Sequence, residues 1–205
     1  MIPEITTAPG LLALVALAAY LLGAVPFGMV IAKLMGLGNL REIGSGNIGA
    51  TNVLRTGSKP AAAATLILDA GKGAVAVLIA RAAFGEDAAQ LAGAAAFLGH
   101  CFPVYLKFKG GKGVATFLGT LLALAWPLGV AACLIWLLCA AAFRFSSLSA
   151  LIAALMTPVF AWGFGRPDAA AFCTFLGVLI WIRHRENIIR LLSGSEPKIG
   201  AKKKG

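Results

Sequence analysis

The chain has 205 residues, 60% of them hydrophobic and only 13% charged, with a mean hydropathy of +0.88, far from the roughly 45–50% apolar and 25% charged of a soluble domain. That composition excludes a water-soluble fold and points to an integral membrane protein. The net charge of +10 does not argue for nucleic acid, because the basic residues lie between apolar segments or after the last one, where membrane orientation and anionic headgroups account for them.

The opening MIPEITTAPG contains Glu4 and no Lys or Arg, so it does not read as a cleavable signal, and the first apolar run is expected to stay. A bilayer crossing needs about 20 apolar residues. Leu11–Ala32, Ala61–Ala83, Ala88–Leu106, Ser146–Phe164 and Ala169–Ile182 are the direct candidates. The stretch between Lys112 and Arg144 is long for one crossing and slightly short for two, and Trp126-Pro127 breaks it. Two crossings put Lys33, Arg41, Arg55, Lys59, Lys107, Lys109, Lys112, Arg144 and everything from Arg183 onward on one side, as the positive-inside tendency requires. Arg81 and Arg166 then fall at outer ends near Glu86, Asp87 and Asp168. The expectation is an all-α, seven-span protein with its N-terminus outside and its C-terminus cytoplasmic. Residues 1–198 would form a single domain and 199–205 a basic, disordered tail.

Three polar, glycine-bearing stretches fall on the expected cytoplasmic face. In the first, GSGNIGATN, the glycines Gly44, Gly46 and Gly49 can bring backbone N–H groups close to an anion, with Ser45, Asn47, Thr51 and Asn52 as side-chain partners and Arg55 following. A capped turn satisfying its own backbone is the plainer alternative. The second is KFKGGKG, where Gly110, Gly111 and Gly113 accompany Lys107, Lys109 and Lys112. Snorkelling lysines alone would make it an anchor, but anchoring needs no glycines, and the reading preferred is a phosphate site. Neither stretch matches GxxxxGK[ST], so a nucleotide site has no support. His100 lies just before it, near the inner end of its span. The third, HRENIIRLLSGSEPK, spaces His184, Asn187 and Arg190 three apart, on one face of a short interfacial helix. Ser146, Ser147 and Ser149 after Arg144 can add hydrogen bonds to the same pocket. Asp69 and Lys72 in LILDAGKGAV read as an intramembrane ion pair with a structural role.

With these motifs in this order, the chain resembles the bacterial acyl-phosphate:glycerol-3-phosphate acyltransferases over nearly its whole length; GSGNIGATN, GHCFPVYLKFKGGKGVAT and HRENIIRLLSGSEPK look like that family's three signature regions. The resemblance implies seven helices, a site at the cytoplasmic face of the bacterial inner membrane, acyl phosphate and glycerol 3-phosphate as substrates, and lysophosphatidic acid and inorganic phosphate as products. Carried onto this sequence, it casts Ser45, Lys112, Ser149, His184 and Asn187 as catalytic. Gly44, Gly46, Asn47, Gly49, Thr51, Asn52, Arg55, His100, Lys109, Gly110, Gly111, Gly113 and Arg190 would bind substrate. An HxxxxD acyltransferase signature is absent, since Tyr105 and Ile189 stand where the acid would be. No cofactor and no metal is expected, nor any nucleic acid partner; the oligomeric state is left open. The four cysteines read as small buried hydrophobes. An anion transporter should instead show polar residues tracking through the membrane, and a membrane scaffold would not need GSGNIGATN.

Overall fold

A computed structural model describes residues 2–200. Among them the fold is all-helical: α1 (Pro9–Ala24), α2 (Phe27–Leu34), α3 (Ala50–Leu54), α4 (Lys59–Phe84), α5 (Glu86–Cys101), α6 (Val114–Leu124), α7 (Trp126–Phe143), α8 (Ser146–Gly163), α9 (Ala170–Arg183) and α10 (Arg185–Leu192). The helices start and stop where backbone chemistry demands. Ser58 caps α4 by accepting the Ala61 N–H at 3.3 Å, and Gly85 at φ 100° ends it. The first expected span is two helices, because Pro26 has no N–H to continue the ladder between α1 and α2. The stretch from 112 to 144 resolves into α6 and α7. Their break is at Ala125, extended at φ −151° and ψ 94°, with Pro127 in the first turn of α7.

Polar contacts tie the helix ends together at two ends of the bundle. At the first end, the Thr7 N–H donates to Asp87 Oδ2 at 2.8 Å, joining the start of α1 to α5. Arg81 at the end of α4 donates to the carbonyls of Ala123 and Leu124, both at 2.7 Å, and Arg166 reaches Glu86 at 2.5 Å. At the second end, the Tyr20 hydroxyl donates to the Phe102 carbonyl at 2.7 Å. Among the described residues, five helical segments are long and apolar enough to cross a membrane by themselves: Pro9–Leu34, Lys59–Phe84, Glu86–Leu106, Trp126–Phe143 and Ser146–Gly163. α6, at 11 residues, and α9, at 14, are shorter, about 16 and 21 Å at 1.5 Å per residue.

Small residues set the packing. A Cβ on Gly23 would overlap the Ala96 backbone, on Gly99 the Tyr20 carbonyl, and on Gly119 the Ala70 carbonyl, so α1 meets α5 and α4 meets α6 nearly backbone to backbone. Large side chains such as Leu14, Ile67, Leu78, Leu138 and Val159 point outward and are exposed, as lipid-facing surface should be. The expected tail begins inside the described fold: the Ile199 N–H donates to the Arg144 carbonyl at 2.7 Å and its carbonyl accepts from the Arg144 guanidinium at 3.2 Å. Residues 201–205 lie outside the described residues.

Gly99→Val is expected to destabilise the protein by about 1–3 kcal/mol through overpacking. Gly71→Ala, whose Cβ meets nothing within 4 Å, should be neutral or stabilising by about 0.5–1 kcal/mol. Thermal unfolding in detergent measures both; equal melting temperatures for the two variants would contradict the backbone contact.

Candidate active site

The second polar end gathers the three motifs. Between α2 and α3, GSGNIGATN folds around Asn52, which is 1% exposed. The Asn52 Nδ2 donates to the carbonyls of Leu40 at 2.9 Å and Asn47 at 2.7 Å, while its Oδ1 accepts the Ser45 N–H at 3.1 Å. Asn52 therefore holds the loop's shape with all its hydrogen-bonding capacity on the protein. Gly44 and Gly46 have positive φ, 54° and 68°, and a Cβ on Gly44 would strike Asn52 and Arg55. This arrangement leaves Ser45 exposed at the rim, Asn47 and Arg55 half-buried, and Gly49 at the start of α3. Thr51 Oγ1 lies 3.2 Å from Ser146 Oγ, tying the loop to the start of α8.

KFKGGKG runs between α5 and α6. Its glycines are required by neighbours within the protein: a Cβ would meet the His100 and Cys101 carbonyls at Gly110, the His100 ring at Gly111 and the Phe97 ring at Gly113. The amides of Gly110 and Gly111 are taken by the carbonyls of Cys101 at 3.2 Å and His100 at 3.0 Å. Arg183 donates to the Gly111 and Gly110 carbonyls at 3.1 and 3.0 Å, and Arg41 donates to the carbonyl of Lys109. The glycines thus let the loop press onto α5, where sequence reasoning expected backbone free for a ligand. His100, 4% exposed, lies beneath the loop; Lys109 is exposed, and Lys112 is turned inward.

Lys112 opens the central network. Its ammonium donates to Asn187 Oδ1, and Asn187 Nδ2 donates to Glu196 Oε1 at 2.6 Å. An ammonium only donates and a carboxylate only accepts, which fixes the orientation of the amide. Ser147 Oγ also donates to Glu196 Oε1, at 2.7 Å, and Arg190 Nε to Oε2 at 2.7 Å. Burial would raise the Glu196 carboxyl, but the bonds from Ser147, Asn187 and Arg190 outweigh it and hold the group below its ordinary value. Burial, then repulsion from Arg190, pushes Lys112 down to about 8, against the pull of Glu196 and Glu186. His184 is pushed down to about 4, chiefly by burial. Its Nδ1 lies 2.8 Å from the Ile180 carbonyl. Because a carbonyl accepts only, Nδ1 carries the proton and Nε2 is an unprotonated acceptor in the neutral ring.

The fold therefore brings Lys112, Asn187, Arg190 and His184 together, with Arg55 close enough to feel the charges of Glu196 and Arg190. It turns Ser149 away: that hydroxyl donates to the Phe145 carbonyl at 2.8 Å, one helical turn back. Ser147 reaches the network in its place. Ser147 was among the three serines expected to add hydrogen bonds to the pocket, whereas Glu196, Arg183 and Arg41 were not singled out as site residues by sequence reasoning. Glu196 carried a signal, being one of only eight acids and standing inside the third motif. The arginines carried none, because their partners are backbone carbonyls far along the chain.

The folded pKa of Glu196 is depressed, so its network stabilises the protein above the ordinary carboxyl value of 4.5 and that contribution is lost as pH falls through the folded value. Melting temperature in detergent should decline below about pH 4.5, and Glu196→Gln should flatten the decline. An equally steep decline in the variant would remove Glu196 as its source.

The glycerol-3-phosphate acyltransferase family profile matches residues 13–194. Among similar proteins, a glycerol-3-phosphate acyltransferase of Dinoroseobacter shibae is 80% identical over 98% of this chain and all of its own length, and one from a Jannaschia species is 68% identical over 98% of each. A crystal structure of PlsY, described as an integral membrane glycerol 3-phosphate acyltransferase in its glycerol 3-phosphate form, superposes with a TM-score of 0.87 at 42% identity, covering 92% of this chain and 96% of that one. Its lysophosphatidic acid form gives a TM-score of 0.84 at 39% identity, over 92% and 95% of the two chains. A match along this much of the chain, at identities this high, makes the protein an integral membrane acyltransferase belonging to the glycerol-3-phosphate acyltransferase family.

Proposed function

We propose that this protein transfers an acyl chain from acyl phosphate to the sn-1 hydroxyl of glycerol 3-phosphate, giving lysophosphatidic acid and inorganic phosphate. The observation that carries the reading is the cluster of Lys112, Asn187, Arg190 and Arg55 around Glu196 at one polar end of an apolar helix bundle. Both substrates carry phosphate, and the donor's tail belongs in lipid. A cationic site at the water–lipid boundary serves both. The gathering of Lys and Arg at this end supports seven spans, with the site on the cytoplasmic side of the bacterial inner membrane.

In the proposed step the sn-1 oxygen attacks the carbonyl carbon of acyl phosphate, a mixed anhydride that needs no covalent enzyme nucleophile. The Lys112 ammonium stabilises the charge developing on the carbonyl oxygen. Collapse of the tetrahedral intermediate breaks the bond to the phosphate oxygen and releases phosphate. Arg55 and Arg190 hold phosphate oxygens, while Asn187 keeps Lys112 aimed. Ser45, Asn47 and Thr51 edge the site, and Ser147 and Glu196 keep Asn187 in place. The hydroxyl proton leaves to His184 Nε2 or to a phosphate oxygen of a substrate. His184→Gln separates the two: a loss of about 10²-fold or more assigns the histidine, and an unchanged rate assigns phosphate.

Purified protein given palmitoyl phosphate and glycerol 3-phosphate should release phosphate and form lysophosphatidic acid, while palmitoyl-CoA should not substitute. Lysophosphatidic acid from the CoA donor alone would overturn the donor assignment. Lys112→Ala and Asn187→Ala should each lower kcat by about 10²–10³-fold with folding intact. Lys112 is protonated below its folded value of about 8, so kcat/KM should fall roughly tenfold per pH unit above about 8. Lys112→Arg, which does not deprotonate, should lack that limb.

A further inference from the structure

The chemistry above leaves a buried charge cluster unused. Lys72 Nζ lies 2.8 Å from Asp69 Oδ1, and the two side chains are 1% and 3% exposed. The ammonium also donates at 2.9 Å to the Val25 carbonyl at the break between α1 and α2, which accepts the Phe27 N–H at 3.1 Å as well, and sits 5.7 Å over the Phe27 ring. His100 Nδ1 is 3.6 Å from the same Asp69 oxygen. The other edge of that imidazole is where the loop sits, since a Cβ on Gly111 would overlap His100 Nε2, and the Gly111 N–H donates to the His100 carbonyl at 3.0 Å. On the far side of Lys112, Thr116 Oγ1 donates to the Asp69 backbone carbonyl at 2.9 Å.

The geometry points to a positioning role in acyl transfer: the Asp69–Lys72 pair, acting through His100, sets where the Gly110–Gly113 loop carries Lys112. Both flanks of that lysine rest on the pair's surroundings, Gly111 through His100 and Thr116 through Asp69 itself. An ordinary structural ion pair needs no histidine wedged between it and the active-site loop, nor a fixed contact on each side of the reactive lysine. The kinetic arm of the test rests on the acyl transfer proposed above, whereas its chemical arm does not.

The groups facing Lys112 are Arg183 from α9, His184 at its end, Glu186, Asn187 and Arg190 from α10, and Glu196 beyond it. None belongs to the Asp69 cluster. A shift in the titration of Lys112 after changes at Asp69 or His100 therefore reports movement of the loop, not loss of a neighbouring charge. Site-resolved labelling of Lys112 by an amine acylating reagent across pH 6–11, read by mass spectrometry, gives that titration without turnover.

His100→Asn cuts the wedge while leaving both charges, and Asp69→Asn combined with Lys72→Met removes both charges together, avoiding an unpaired buried ion. In each, Lys112 labelling should move toward the ordinary lysine range, and kcat should fall about 10–100-fold with a smaller change in KM. Arg81→Met, at the opposite end, serves as a destabilised control whose Lys112 profile should match wild type. His100→Asn with wild-type labelling and wild-type kcat would overturn the inference, whatever the charge variants do. Wild-type protein without acyl transfer but with the labelling shift in His100→Asn would keep the positioning role and sink the proposed function instead.

Discussion

A bilayer offers no hydrogen bonds, so each backbone group freed by a helix end inside the apolar slab must be satisfied by the protein itself. In this fold the cations do much of that work. Lys72 takes the Val25 carbonyl at the Pro26 break, Arg81 takes Ala123 and Leu124 where α6 ends, and Arg183 takes Gly110 and Gly111 where the chain crosses from α5 to α6. Each of these is a place where the ladder stops short, and the cations come from α4 (Lys72 and Arg81) and α9 (Arg183). Charge that looks anomalous in an apolar sequence is thus the means by which short and broken helices are tolerated.

The same requirement explains the distribution of glycine. Without a hydrophobic drive between helices in lipid, packing and close approach must hold them together. Gly23, Gly99 and Gly119 bring backbones into contact. At the candidate active-site end the logic extends to the loops: Gly111 and Gly113 press the lysine-bearing segment onto His100 and Phe97, and Lys112 is thereby held inward. Lys107 and Lys109 on the same segment remain in solvent. Burial separates one lysine from three and lowers the cost of its deprotonation.

The site's polarity follows from this placement. Glu196 accepts from Ser147, Asn187 and Arg190, and Asn187 passes the order on to Lys112. A carboxylate at the centre of a cationic cluster keeps the cations apart and oriented while leaving the surrounding charge positive. The opposite end of the molecule is balanced instead, with Arg81 and Arg166 matched to Glu86 and Asp168. Among the described residues, the surplus of positive charge gathers at the end where the three motifs meet.

Membrane character, the approximate extent of four of the five long apolar segments, the basic end and the three motif regions that meet there were legible in the residues alone, because hydropathy and charge are local properties that lipid sorts directly. The sequence also paired Asp69 with Lys72, since three residues on a helix fix a neighbour. It took the folded chain to show that the KFKGGKG glycines pack against His100 and Phe97, that Ser147 reaches the network while Ser149 bonds its own helix, and that Glu196 sits at the centre. Those outcomes depend on which surfaces folding brings together, as do the bonds from Thr116 to Asp69, 47 residues apart, and from Lys112 to Asn187, 75 apart. No periodicity within one segment records the face that another segment will bring to it.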